Sequence, residues 1–406
     1  MSKEKRRVPK LRFPGFTEDW EQRKLGSLAT VEMNKRIFKE QTTIKGDIPF
    51  YKIGTFGSDA DSFISRELFK EYKNKYPYPN IGDILISASG SIGRTVVYNG
   101  EDAYYQDSNI VWLNHNGKID NSFLLQFYNQ VKWAGLEGST IKRLYNKNIL
   151  ETNIALPKIE EQRLIGKFFE LVDRSITLHQ RKLNNLKLKK KALLQKLFPK
   201  NEERYPELRF PGFTDAWEQR KLSQITVRVT RKNGNQSDLP LTISAQDGLV
   251  DQRKYFNRQV ASRDMTNYYL IKKGEFAYNK SYSEGYPFGA VKRLDYYDIG
   301  ALSTLYILFE ITDKNISSDF LVSYYMTHLW YKEVSKRAAE GARNHGLLNI
   351  STEDFFNSEL NIPNSIEEQV KIGNLIKQFD KFITLHQRKL DHLQLQKKAL
   401  LQQMFV

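Results

Sequence analysis

The sequence predicts an α+β fold in which two α/β domains lie in tandem. Two long helices separate these domains and pair as an antiparallel coiled coil with pseudo-two-fold symmetry. Three observations support this fold class. The ends of the first half recur in the second half, each recurrence leads into a heptad pattern, and the segments between these ends are rich in strand-forming residues.

The chain of 406 residues carries an internal duplication. PKLRFPGFTEDWEQRKL at 9–25 returns as PELRFPGFTDAWEQRKL at 206–222, and 14 of the 17 positions are identical. IEEQ at 159–162, ITLHQRKL at 176–183 and KKALLQ at 190–195 return 207 residues later. The sequences between these shared ends hardly resemble each other. Because a period near 200 residues is too long for a solenoid, the pattern indicates two domains with shared ends and different middles.

Each IEEQ motif opens a run in which seam positions recur in alternating steps of four and three, as in a coiled coil. In the first run these positions are Ile165, Phe169, Val172, Ile176, His179, Leu183, Leu186, Lys190, Leu193 and Leu197. In the second run they are Ile372, Ile376, Phe379, Ile383, His386, Leu390, Leu393, Lys397, Leu400 and Met404. Polar seam residues commonly fix register. For the two histidines a structural role is favoured over metal binding or acid–base chemistry, because no acidic or histidine neighbour recurs at ligand spacing.

The shared ends divide the chain into six segments. These are an arm at 1–19, a variable domain at 20–157, a central helix at 158–200, a second arm at 201–216, a second variable domain at 217–364 and a C-terminal helix at 365–406. In both variable domains a strand, a loop rich in Gly and Ser, and a second strand are predicted, at 82–98 and 272–294. The last strand of each domain is expected to end at Pro157 or Pro363.

The formal net charge is +16, which indicates a polyanionic partner, most often nucleic acid, although a merely solubilising surface has the same composition. The chain has no cysteine, which excludes disulfides, thiolate metal sites and cysteine catalysis, and fits a reducing compartment. The basic N-terminus leads into no apolar region, and no apolar stretch approaches 18 residues. A cytoplasmic location, without membrane association, is therefore expected.

Catalytic signatures are absent from the sequence. There is no Walker-type G-x-x-x-x-G-K-[ST] loop and no G-x-S-x-G elbow, and the 6 histidines are scattered. No catalytic residue and no metal ligand is predicted. The chain is expected to be a non-catalytic binder that holds no cofactor itself.

The loops of the variable domains carry the side chains that read base edges. Arg and Lys donate to guanine, Asn and Gln pair with adenine, and Ser adapts to either. The predicted DNA-binding residues of the first domain are Ser87, Ser89, Ser91, Arg94, Lys142 and Arg143. Those of the second domain are Gln246, Lys280, Ser281, Tyr282, Arg343, Asn344 and His345. For any single residue, an ordinary polar loop is the alternative.

This ordered set of features resembles the DNA specificity subunit of type I restriction–modification systems, the HsdS family, over essentially the whole chain. The features are the duplicated LRFPGFT arm, IEEQ after a proline, the heptad helices ending in KKALLQ, and two dissimilar middles. The resemblance implies that each middle is a target recognition domain that reads one half of a bipartite, asymmetric DNA sequence. It also implies that the helices set the gap between the halves.

The resemblance implies that the cytoplasm is bacterial, and it implies partners as well. Two methyltransferase subunits would dock on the helices, and restriction subunits would join them; S-adenosylmethionine, ATP and Mg are expected on these partners. A coiled-coil scaffold with incidental basic charge is the alternative reading. A third reading, a self-sufficient nuclease or methyltransferase, is disfavoured by the absent motifs.

Overall fold

The structure is a computed structural model that describes residues 8–135, 143–200, 203–258, 260–283, 285–338 and 348–405. The chain divides into two compact units. Unit 1 comprises Met1–Gln180 and Arg388–Val406, and unit 2 comprises Arg181–Gln387. The division falls inside both long helices, so each unit contains the first part of one long helix and the last part of the other.

Unit 1 contains two sheets, a two-stranded ladder, three complete α-helices and parts of both long helices among its described residues. Its elements are β1 (Glu21–Lys24), β2 (Thr30–Glu32), β3 (Ile48–Tyr51), β4 (Phe63–Ile64), α1 (Arg66–Lys75), β5 (Ile84–Ser87), β6 (Thr95–Val97), β7 (Tyr104–Tyr105), β8 (Ile110–Asn114), α2 (Asn121–Tyr128), α3 (Asn146–Glu151), β9 (Asn153–Leu156) and the first part of α4 (Ile159–Lys196). The main sheet is antiparallel in the order β2-β8-β5-β6. A second sheet has the order β4-β3-β7, with β3 and β7 parallel.

Unit 2 repeats the main sheet of unit 1 although the sequences differ. Its elements are β10 (Glu218–Lys221), α5 (Leu222–Ile225), β11 (Thr226–Val229), β12 (Leu241–Ser244), β13 (Gly248–Asp251), α6 (Gln252–Phe256), β14 (Tyr269–Lys272), β15 (Phe276–Asn279), β16 (Ala290–Arg293), β17 (Ile299–Leu302), β18 (Ile307–Ile311), α7 (Ser318–Tyr325), α8 (Leu329–Arg337), α9 (Thr352–Phe356), β19 (Glu359–Ile362) and the first part of α10 (Ile366–Met404). Its main sheet is antiparallel in the order β11-β18-β15-β16, and β12-β13 and β14-β17 form separate pairs.

The predicted hairpins are confirmed in both units. β5 pairs with β6 and β15 with β16, each across the predicted Gly/Ser-rich loop. β5 is buried on both faces, because Ile84 and Ile86 pack in the cluster beneath α2 and α4 while Leu85 packs against the second sheet. A strand that is covered on both sides reads as a continuous apolar run, as ILI does here.

Each unit is completed by the end of the other long helix. In unit 1, Phe405 follows α10 and stacks on Phe123 of α2, with ring centroids 5.1 Å apart. Trp20, which directly follows the arm, packs edge-on against both rings, with centroid distances of 5.9 and 6.0 Å. The arm backbone also joins this end, since Leu11 N donates to Gln403 O at 2.9 Å. Unit 2 has the equivalent trio of Phe198, Phe320 and Trp217.

The heptad positions of the two long helices are buried or half-buried. No seam position of α4 or α10 is exposed, and Leu183 and Leu390 are fully buried. The helix parts inside each unit run antiparallel. In unit 2, Lys190 contacts Asp380, while Leu197, which directly follows α4, shares a hydrophobic cluster with the earlier Ile372 of α10.

The two seam lysines are neutralised by aspartates that the heptad pattern does not mark. In unit 2, Lys190 Nζ lies 2.5 Å from Asp380 Oδ1. In unit 1, Lys397 Nζ lies 2.7 Å from Asp173 Oδ1. All four residues recur at the same offset of 207, so each unit holds one copy of the same ion pair. A charge at an apolar seam is tolerated only when it is paired, and the pair fixes the register of the helices.

Candidate nucleic-acid interface

Unit 1 brings three segments together at one end of its main sheet: the loop after β5, the turn before β8 and the segment before α3. Ala88 N donates to Asn109 O at 2.7 Å, and Leu144 N donates to Ala88 O at 2.8 Å. Ser89 Oγ donates to Asn109 Oδ1 at 2.7 Å. The backbone bonds fix these segments relative to one another, so this edge is a built surface rather than three independent loops.

Ser87 supports the loop after β5 from inside. It is 1% exposed; its hydroxyl donates to Ser91 O and accepts from Arg94 N. Gly90 and Gly93 adopt φ angles of 63° and 81°, which side-chain-bearing residues rarely adopt, and these angles turn the loop tightly. The prediction of Ser87 as a base contact is therefore not supported by its position, whereas Ser91 and Arg94 are exposed.

Two predicted arginines of unit 1 are held in place by internal contacts. Arg94 Nη1 donates to Phe56 O at 2.8 Å. Arg143 Nη2 donates to Ser108 Oγ at 3.1 Å, and its guanidinium lies 5.7 Å from the centroid of the Tyr145 ring. Tyr145 is itself 61% exposed. Both cations are thus pre-positioned, which lowers the entropy lost when an arginine contacts a base or phosphate.

Unit 2 builds the corresponding edge with other side chains. Leu348 N donates to Lys280 O at 3.0 Å, the same backbone connection that unit 1 makes between the loop after β5 and the segment before α3. Lys280 Nζ donates to Ile350 O at 3.4 Å. Ser281 and Tyr282 follow in the loop, and Tyr282 is 55% exposed. Equivalent loops with unlike residues are what two different readers on one scaffold require.

The remaining predicted residues are placed differently. Gln246 is exposed on the turn between β12 and β13, apart from the loop after β15. Lys142, Arg343, Asn344 and His345 lie outside the described residues. The segments that contain them lead directly into Arg143 and Leu348 of the two edges.

The IEEQ motif has a role that the sequence reading missed. Glu161 and Glu368 are 0% and 1% exposed, and each accepts two hydrogen bonds from an arm arginine. Arg12 binds Glu161 at 2.7 and 2.8 Å, and Arg209 binds Glu368 at 2.8 Å through both bonds. These hydrogen bonds raise the pKa of both guanidinium groups above its usual value. The signal was available, because Arg and Glu recur together in both copies.

The glutamine of the motif fixes the start of α2 in unit 1 and the start of α7 in unit 2. Gln162 accepts from Asp120 N at 2.9 Å and donates to Pro157 O at 2.9 Å. Gln369 makes the equivalent bonds to Ser317 N and Pro363 O, at 2.9 and 3.0 Å. The motif is therefore a structural joint between the arm, a shorter helix (α2 or α7) and the long helix in each unit.

No group of three or more His, Asp or Glu side chains forms a metal site within the described part of the chain. None of its helices is long and apolar enough to cross a membrane.

With this geometry in place, comparison with known proteins assigns the family. The family model for the type I restriction modification DNA specificity domain matches residues 17–188 and 252–395, more than three quarters of the chain. The chain belongs to this family. Its members are the non-catalytic components of type I restriction–modification complexes.

Two individual relatives are specificity subunits of type I restriction enzymes, in agreement with the family model. Over 157 residues the chain is 54% identical to a Haemophilus influenzae protein named as specificity subunit S.HindORF215P of a type I restriction enzyme; this covers 38% of the chain and 41% of the relative. The match thus spans less than half of that protein. The type I restriction enzyme MjaVIII specificity subunit of Methanocaldococcus jannaschii is 23% identical over 419 residues, covering 96% of the chain and 92% of the relative.

A solved structure shows the same fold. The S subunit of a type I restriction–modification system from M. genitalium aligns over 98% of this chain and 99% of its own, with a TM-score of 0.63 and 15% identity. The tandem α+β architecture with two long helices is therefore the architecture of an S subunit.

Proposed function

We propose that this chain is the DNA specificity subunit of a type I restriction–modification complex, and that units 1 and 2 each read one half of a bipartite, asymmetric duplex sequence. The observation that carries the proposal is the pair of equivalent sheet edges. Their backbone connections correspond, but their side chains differ: Ser91, Arg94 and Arg143 in one, Lys280, Ser281 and Tyr282 in the other. Conserved backbone with changed side chains is suited to reading different base pairs.

The outer faces of the long helices are proposed to dock two copies of one partner. Leu178 and Leu385 occupy the same place in the repeated octet and are 58% and 59% exposed. Leu188 and Leu395 recur in the same way, at 65% and 66%. Exposed leucines in matching positions and with matching exposure indicate one interaction presented twice.

The partners are proposed to be methyltransferase subunits, with restriction subunits joining them. S-adenosylmethionine, ATP and Mg would be bound by these partners. The two paired helices are proposed to set the length of the unread gap between the two half-sites.

The test exchanges one reader. Residues 217–362, which run from Trp217 through β19, are replaced by the equivalent segment of another S subunit, and modified adenines are mapped genome-wide. The expected result is a change in one half of the recognised sequence only. A change in both halves, or none, would exclude one reader per unit. If the chain is a scaffold with incidental charge, no bipartite target will be found even with the unaltered chain.

A further inference from the structure

Unit 2 exposes a short aromatic and basic segment that the proposed reading loops do not include. It consists of the described residues 252–258 and 260–263, which follow β13, and is called here the α6 segment. Tyr255, Phe256 and Val260 are 51%, 43% and 50% exposed. Apolar exposure concentrated within six residues is typical of an interaction surface rather than of ordinary solvent-facing protein.

The two rings of the α6 segment pack on each other instead of on the core. Their centroids are 5.0 Å apart at an interplanar angle of 86°. Among the described residues, neither Tyr255 nor Phe256 joins a hydrophobic cluster. The comparable helix α1 of unit 1 does the opposite and buries Phe69, which is 3% exposed, with Tyr72 packed beside it. Outward rings are therefore not a requirement of the fold.

The α6 segment is anchored to a rigid hairpin. Asp251, which is 5% exposed, accepts from Arg253 N, Nε and Nη2 at 3.0, 3.1 and 3.2 Å. Gln252 N donates to Pro240 O at 2.9 Å. Asn257, with a φ of 49°, ends the helix. These bonds fix the backbone at the start of α6, so little backbone ordering is needed when the rings meet a ligand.

The charge around the rings is positive. Between Asp251 and Asp264 the sequence contains no carboxylate. Arg253 is neutralised by Asp251, but Lys254, Arg258 and Arg263 are exposed and form no ion pair with any described residue. Exposed cations close in sequence to an aromatic pair suit a nucleic acid, because the cations complement its phosphates and the aromatic side chains complement its sugars and base edges.

The hairpin that carries the α6 segment is packed against a reading edge of the same unit. Leu249 of β13 and Ala290 of β16 lie in one hydrophobic cluster, and β16 begins where the loop after β15 ends. The predicted reader Gln246 lies on the turn of that same hairpin. The α6 segment and the loop after β15 therefore belong to one rigid part of unit 2.

We propose that the α6 segment is a second DNA contact of unit 2, beside the half-site that this unit reads. Lys254, Arg258 and Arg263 bind phosphates, and the Tyr255–Phe256 pair packs against sugars and base edges. The proposal rests on the proposed function of the chain as a DNA specificity subunit. It assigns to unit 2 an anchoring element that its predicted reading loop lacks.

The experiment measures duplex binding by the full chain, with its partner subunits, over a range of salt concentrations. The probes are a mixed-sequence duplex and a duplex that carries the mapped target. In the triple variant K254Q/R258Q/R263Q, the slope of log affinity against log salt should become shallower by about 2–3, because each phosphate contact contributes about 0.9. In Y255A/F256A the slope should stay unchanged while affinity for the target falls about tenfold.

A matched control distinguishes this surface from exposed aromatics in general. Tyr296 is 75% exposed in the same unit, but its neighbours Asp295 and Asp298 are paired with Arg293 and Lys273, so these residues add no net positive charge beside the ring. Y296A should therefore bind both duplexes like the unaltered chain. Hydroxyl-radical footprints should show that Y255A/F256A loses protection only at the end of the site read by unit 2.

The outcomes separate this inference from the proposed function. If the unaltered complex protects its target and both α6 variants keep its salt slope and affinity, the α6 segment is not a DNA contact, while the proposed function stands. If the variants change oligomeric state or partner assembly instead, the surface binds protein and the inference is overturned. If the unaltered complex protects no bipartite site, the proposed function itself fails.

Discussion

Arg209 and Glu368 form a bidentate ion pair, with both donor–acceptor distances at 2.8 Å and the Glu368 side chain 2% exposed. Arg12 and Glu161 form its counterpart in unit 1. Each pair joins an arm to the first turn of a long helix. The acidic first turn also lies at the positive end of the helix dipole, which favours a carboxylate there.

Replacement of Arg209 should lower the stability of the folded chain. In R209M the Glu368 carboxylate stays buried without its cation, so we expect the free energy of unfolding to fall by about 3–5 kcal/mol. Urea unfolding followed by tryptophan fluorescence measures this. As a control, Lys273 pairs with Asp298 at the surface, where the side chains are 59% and 92% exposed. K273M should cost less than about 1 kcal/mol, and equal losses in the two variants would contradict the structural role of the arm.

Gly373 of α10 should resist substitution by alanine. At a solvent-facing helix position this change stabilises by up to about 1 kcal/mol. At Gly373 of α10, however, a Cβ would lie 2.8 Å from Asp319 Cβ and from Phe320 N. We therefore expect G373A to destabilise the chain by about 1–3 kcal/mol. G54A, whose Cβ would have no neighbour within 4 Å, is the control and should change the melting temperature little.

Lys292 should make stability depend on alkaline pH. Burial first, and then the nearby charge of Lys190, lower the pKa of Lys292, while Asp380 and Asp247 oppose the shift. The unfolded chain therefore binds this proton more tightly than the folded one. The penalty is complete below the folded-state pKa and disappears as pH rises to the unfolded value.

It follows that K292M should be more stable than the unaltered chain at neutral pH. The difference should shrink as pH rises towards the ordinary lysine pKa, as measured by thermal unfolding over a pH series. K272M, at an exposed position of the same unit, should show no such trend. A constant difference for K292M at all pH values would mean that packing, rather than charge, causes the effect.

A paired heptad insertion tests the spacing role of the helices. One heptad after Leu186 and another after Leu393 would lengthen both helices between Asp173 and Lys190 and between Asp380 and Lys397 by the same amount. Both seam ion pairs can then form as before, and each helix grows by about 10.5 Å. We expect both half-sites to be retained and the unread gap to grow by about three base pairs, as mapped from modified adenines. An unchanged gap would eliminate the spacing role.

Single substitutions test the docking surfaces. In L178S one copy of the exposed leucine is lost, and in L178S/L385S both are lost. If each leucine docks one partner, native mass spectrometry of the reconstituted complex should show one bound methyltransferase subunit for the single variant and none for the double variant. DNA binding by the chain alone should remain. Full occupancy in the double variant would place docking elsewhere.

The heptad periodicity of the hydrophobic residues made the two long helices predictable from the sequence. The seam was predictable because side-chain burial on a helix follows the heptad directly, and even Lys190 and Lys397 were placed correctly. Their partners Asp173 and Asp380 were missed because they lie just outside the a and d positions. Their recurrence at the shared offset was the available signal.

The sites were harder to predict, because residue type does not determine where a side chain points. Ser87 and Ser91 are the same residue four positions apart, yet the first is 1% exposed and the second is exposed. Ser87 is the last residue of a strand that is buried on both faces, whereas Ser91 lies in the loop that follows it. The packing of Phe405 and Phe198 into the cores of the two units was likewise not foreseen, because contacts so distant in sequence leave no local pattern.

That packing has a consequence for biosynthesis. Unit 2 is a continuous stretch, Arg181–Gln387, whereas unit 1 requires Arg388–Val406 in addition to its first 180 residues. On the ribosome the half that emerges first is therefore the half that finishes last, with its Trp20 and Phe123 left without Phe405 until translation has passed the whole of unit 2. A stop codon introduced shortly after Gln387 would leave unit 2 intact, but unit 1 would lose the helix end that completes its core.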